Sequence, residues 1–180
     1  MSGPLLRRKG QEVSILTTVP ADHVVSISGD VPASPNVVFG AFTDPLRLAG
    51  WYGPEGWIVP VHTVSIDPRP GGTFRLAMVN HAQPNEAVPL YSTFVSVVEG
   101  ELIEHRESLP GPNGEASDAT VLHRIEFLPR EVDGVEGTRV VVSQGPLPRE
   151  IHSTVVAGWR SALAELARAI HSEGRVRASR

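Results

Sequence analysis

The spacing of apolar residues near the end of the chain constrains its fold most tightly. Ile151, Val155, Trp159, Leu163, Leu166 and Ile170 follow one another at steps of four, four, four, three and four. That is one continuous stripe on a helix of about six turns, and it has to be buried against something. The segments before it alternate with a period of two and are joined by short turns rich in Gly, Pro and Asn. Such segments are expected to pair antiparallel, because a parallel crossover needs about a dozen residues or more. A single long helix must then cover one face of the sheet. A sheet of about seven strands twists and curls, and one rod does not fill a curled sheet along its whole length. The pattern therefore predicts an α+β fold with an internal cavity between helix and sheet.

The elements can be placed one by one. Val24-Val25-Ser26-Ile27-Ser28 reads as a first strand. Ser34-Pro35 and Asp44-Pro45 each pair an N-cap residue with a proline suited to the first helical position, which predicts two short helices, the second ending at Gly50. Val59 to Ile66 reads as a strand interrupted at Pro60, and Asp67 to Gly72 as a turn. Thr73 to Asn80 alternates, with Phe74, Leu76 and Met78 on one face. After a loop from His81 to Glu86, Tyr91 to Val98 is a strand with Tyr91, Val95 and Val97 together. Leu102 to Arg106 follows, then a loop over 109–118. Val121, His123, Ile125 and Phe127 share a face, Glu131 to Gly137 is a polar loop, and Thr138 to Gln144 closes the series. Residues 1–23 form an expected flexible extension, 24–171 one domain, and 172–180 a tail.

Composition removes whole classes of activity. The 180 residues include no cysteine, which excludes disulfide scaffolds, thiolate nucleophiles and Cys-ligated metals. The formal charge of −4 is +1 over residues 1–23 and +2 over 171–180, leaving −7 on the body. An acidic body is a poor partner for a phosphate backbone, so no nucleic acid is expected. There is no apolar run of membrane-spanning length and no secretory-type apolar stretch near Arg7, Arg8 and Lys9, so the expected location is cytoplasmic, without a membrane partner. Ser143 and Ser161 lack the setting of an esterase nucleophile.

Three motifs occur in order: Asp44-Pro45 with Trp51-Tyr52-Gly53-Pro54-Glu55-Gly56, then Asp67-Pro68-Arg69-Pro70-Gly71-Gly72-Thr73-Phe74-Arg75, then Gly158-Trp159 with Leu163 and Leu166. Over about Val24 to Ile170 the chain resembles the SRPBCC (START-like, helix-grip) superfamily, and within it the branch named after activators of the heat-shock-protein ATPase. The resemblance implies a helix-grip fold, a curved antiparallel sheet wrapped around a long C-terminal helix, with a pocket between them. The superfamily spans lipid carriers, polyketide cyclases and co-chaperones, so fold alone does not assign an activity.

Seven histidines stand at 23, 62, 81, 105, 123, 152 and 171, with no His-x-x-x-His pair, so no metal or other cofactor is expected. His105 and His123 differ from the rest: both sit on apolar faces of consecutive strands and can meet inside the pocket. The expected ligand-binding lining is Phe42, Trp51, Phe74, Leu76, Met78, Val95, His105, His123, Trp159 and Leu163. The two histidines would orient an otherwise apolar ligand, and they are the candidate catalytic groups if the pocket is a cyclase, dehydratase or hydrolase site. Gly158 in a helix interior costs about 1 kcal/mol, which points to close approach of a strand or of the Trp51 segment. The expected partner is a small hydrophobic ligand. An exterior surface for a chaperone or regulator, and a homodimer through the sheet, are the alternatives.

Overall fold

The computed structural model describes residues 15–110 and 116–178. Arg7–Lys9 and the tip of the expected 109–118 loop lie outside them. The first strand, β1 (Val25–Val31), is followed by helices α1 (Pro35–Thr43) and α2 (Pro45–Ala49). Seven further strands follow: β2 (Trp57–Ile58), β3 (Ser65–Ile66), β4 (Thr73–Asn80), β5 (Gln83–Val98), β6 (Leu102–Pro110), β7 (Ala116–Val132) and β8 (Val135–Gly145). Helix α3 (His152–Ala178) is the last described element, so most of the stretch from Ser172 expected as a tail is helical. Residues 15–23 form two 3-10 turns, the first lying against β7.

Chain grammar explains most of these limits. Asp44 caps α2 by accepting the backbone N–H groups of Leu46 and Arg47 at 2.9 and 3.1 Å. Ser34 makes no such bond, so Pro35 alone marks the start of α1. Only β3 forms within the expected Val59–Ile66 strand: β2 lies before it, Val61–Thr63 is a 3-10 turn, and Pro60 has no N–H for a ladder. The expected loop at Glu131–Gly137 shrinks to a two-residue turn. Asp133 and Gly134 both have positive φ, 52° and 79°, the turn that matches the twist of a hairpin and lets β7 and β8 pair up to Val132 and Val135.

The strands form one antiparallel, curled sheet in the order β1-β8-β7-β6-β5-β4-β2, with β3 also paired to β4. An irregularity in β5 corrects the expected facing. Register shifts between Phe94 and Ser96, so Leu90, Ser92 and Phe94 are buried before it while Val97 packs on the core after it. Tyr91 and Val95 consequently point outward, at 50% and 37% exposure. Val95 is therefore not part of the interior, because the extra residue of a bulge reverses which face follows.

Helix α3 lies in the concave side. Leu163, Leu166 and Ile170 are buried, Val155 and Trp159 half-buried, and Ile151 exposed in the 3-10 turn before the helix. Close approach is set on the strand side: a Cβ at Gly29 of β1 would stand 3.1 Å from Leu163 Cβ. Arg47 of α2 and Glu173 of α3, 3.0 Å apart, tie the short helices to the long one. We predict that Leu166→Ala, at a site with no exposure, destabilises the fold by about 2–5 kcal/mol, whereas Ile151→Ala stays within about 0.5 kcal/mol. Urea unfolding of the two variants checks the orientation of the stripe.

Candidate functional site

Aromatic rings occupy most of the space under α3. Phe39 and Phe42 of α1 meet Phe127 of β7 edge-on, at centroid distances of 5.6 and 5.2 Å. Phe42 continues to Trp51 at 4.6 Å, Trp51 to Tyr52 at 5.5 Å, and Tyr52 to Phe74 at 6.0 Å. Phe74 stacks on His105 at 5.5 Å, and His105 stacks on His123 at 4.4 Å with 12° between the planes. Such ring contacts add to the burial that holds the core. The void they enclose, lined by Phe42, Tyr52, Phe74, Phe94, His105 and Trp159 among others, is about 10 Å³, no more than one water occupies. The large internal hollow expected from the curl is thus mostly filled by side chains.

Beside these rings, space remains at one end of the interior. A cleft of about 280 Å³ opens between the Tyr52–Pro54 segment, the sheet and the first half of α3. Met78, Leu90, Val155, Gly158, Trp159 and Ala162 make its apolar wall, and Tyr52, Glu107, His123, Gln144 and Thr154 add polar groups. Cross-strand register brings these groups together. Gln144 of β8, His123 of β7, His105 of β6 and Phe94 of β5 form one row of directly opposed residues. Glu107 lies two residues beyond His105 on the same face, diagonal to His123.

The polar groups are ordered by one another. His123 and Glu107 share a hydrogen bond of 2.8 Å from Nε2 to Oε2, in which the imidazole N–H donates to the carboxylate. Trp159 Nε1–H donates to Gln144 Oε1 at 2.8 Å. The buried Nδ1 atoms of His105 and His123 have no hydrogen-bond partner in the structure. Burial, and secondarily the His123 ring, hold His105 well below the ordinary histidine range, so it is neutral. Burial and the Glu107 carboxylate push the Tyr52 phenol up. Among the described residues, no three His, Asp or Glu side chains converge in a way that could hold a metal ion.

The expected lining residues therefore divide. Met78 and His123 line the cleft, Phe42, Phe74 and His105 the small void, and Trp159 both. Trp51, Leu76 and Leu163 are buried in the core and line neither; Trp51 Nε1–H donates to the Ala41 carbonyl at 3.0 Å. Val95 lies outside. Glu107, Gln144 and Tyr52 are additions. Glu107 falls just past the Arg106 limit expected for its strand, so extending the His105 alternation by one step finds it. Gln144 likewise follows by alternation from Val140 and Val142.

The buried, neutral His105 has a measurable consequence. Unfolded, it takes up a proton near its ordinary pKa of 6.5, and folded it does not. Its contribution to stability is therefore fully present above that pH and is lost below it, by roughly 1.4 kcal/mol per pH unit. We predict that His105→Leu unfolds with a shallower loss of stability than the parent between about pH 7 and pH 5. Equal slopes in urea titrations of the two proteins would mean that folded His105 protonates freely.

Comparison with known proteins places the architecture. A protein from Nitrosomonas europaea superposes with a TM-score of 0.71 at 20% identity, covering 87% of this chain and 99% of that one. An AHSA1 protein from Silicibacter pomeroyi gives 0.70 at 20% identity, covering 83% and 99%. An AHSA1-like protein from Aeromonas hydrophila gives 0.60 at 18% identity, covering 84% and 94%. At these identities the likeness is one of fold. No curated relative matches the sequence significantly. The family model described as "Activator of Hsp90 ATPase homolog 1-like protein" matches residues 32–171, and the chain belongs to that family.

Proposed function

We propose that this protein takes up a small, mainly apolar molecule in the cleft between α3 and the sheet. The observation that carries this reading is the union of an apolar wall with a few convergent polar groups, Glu107, His123 and Gln144, in one opening. Small-molecule sites are built this way: apolar surface supplies affinity, and a few fixed polar groups supply orientation. At about 280 Å³ the cleft suits a compact molecule or one end of a longer one rather than a whole lipid. A panel of lipids, polyketides and aromatic metabolites, followed by thermal shift and native mass spectrometry, tests the reading. Silence across the panel overturns it.

A second reading rests on the hydrogen bond between His123 and Glu107. A carboxylate that orients an imidazole is the usual support for a general acid–base histidine. His105 is placed differently, neutral and sandwiched between Phe74 and His123. In this reading His123→Gln abolishes turnover with little change in melting temperature, and retained turnover removes it.

Gly158 links the cleft to stability. The nearest neighbour its Cβ would meet is Pro54, at an ordinary van der Waals distance of 3.7 Å, so the position is not closed to a side chain. Gly158 and Pro54 both line the cleft. We predict that Gly158→Ala stabilises the helix by about 0.5–1 kcal/mol while weakening uptake of any molecule found in the panel. Chemical unfolding together with calorimetric titration reads both effects, and unchanged affinity would place the ligand elsewhere.

A further inference from the structure

Resting on that uptake reading, we infer that the cleft selects its molecule by charge: it takes a protonated amine on an apolar body and disfavours a carboxylate. Glu107 is the one carboxylate among the residues lining the cleft, and no Lys or Arg lines it. Its side chain is 17% exposed, so its charge is only partly screened by water. The His123 N–H is bonded to Oε2, and among the described residues no hydrogen bond to Oε1 is present. One acceptor lobe of a fixed carboxylate is thus left at the site, and an ammonium N–H matches it with a charge-assisted bond.

The aromatic rings favour the same sign. Tyr52 and Trp159 meet at 88° with centroids 6.0 Å apart, forming two walls of a corner at the cleft. Aromatic rings carry electron-rich faces that attract cations. Glu107 lines the same cleft as Tyr52, and after burial its carboxylate is the second cause that pushes the Tyr52 phenol up. His105, stacked behind His123, adds no positive charge. A carboxylate ligand would enter a partly desolvated site that already holds Glu107, without a Lys or Arg to balance it.

Three molecules with one carbon skeleton separate the possibilities: phenylbutylamine, phenylbutanol and phenylbutyrate. Isothermal titration of the full chain at neutral pH is expected to rank them in that order, the amine binding about tenfold or more tightly than the carboxylate. Glu107→Gln, which keeps the shape and an acceptor for His123, is expected to bring amine and carboxylate within about twofold. Equal binding of the three by the parent protein, or tighter binding of phenylbutyrate, overturns the charge selection and leaves apolar uptake standing. Absence of binding by all three overturns both.

Discussion

The packing of one helix face into the hollow of the sheet governs everything else in this molecule. Gly29 permits Leu163 to come within contact of β1, and Leu166 and Ile170 continue the same seam. Toward its start α3 packs Val155 and Val156 on the cluster of Val25, Val121 and Leu147, yet a separation from β4 to β6 is left beside them. That separation has to be filled, since an apolar surface facing an empty gap forfeits both transfer energy and dispersion contacts. The chain fills it with rings, from Phe39 and Phe42 through Trp51, Tyr52 and Phe74 to the two histidines. Filling stops where Gly158 and Ala162 face outward from α3 toward His123 and Glu107, and the cleft is what remains.

The histidine pair shows how register converts sequence into chemistry. His105 and His123 are opposed in the ladder, so their rings stack, and stacking inside an apolar surround disfavours charge on the inner ring. Glu107, one step further along the same face, reaches the outer ring instead. One strand pair thereby carries a neutral, structural histidine and, beside it, a carboxylate-bound histidine at the cleft. The division of roles follows from two residues' difference in position.

Long-range features were legible wherever periodicity or capping speaks plainly. The α3 stripe from Val155 to Ile170, the two proline-started helices, β4, and the inward face Val121–Phe127 stand as their spacing indicates, while Ile151 falls before the helix and is exposed. Features that depend on a single extra or missing residue were not. The bulge after Phe94 reverses the face of β5, so alternation counted back from Val97 puts Tyr91 and Val95 inside when they are outside. The size of the interior was also hidden. Curl implies space, but only the side chains of the short helices and of the Trp51-Tyr52 segment decide how much of it survives. The charged floor of the cleft was missed because Glu107 lies where an apolar pattern ends, and alternation alone does not mark a buried carboxylate as part of a strand.

The three tryptophans provide the most direct measurement of the central claim, that molecules enter at the cleft and not in the ring-filled interior. Their indole N–H groups are separate reporters: Trp159 bonds Gln144 at the cleft, Trp51 bonds Ala41 inside the core, and Trp57 lies on the edge strand β2. In a nitrogen-15 correlation spectrum recorded during titration with phenylbutylamine, the Trp159 indole signal should move through to saturation while that of Trp51 holds its position. A titration in which Trp51 shifts and Trp159 does not would contradict the account.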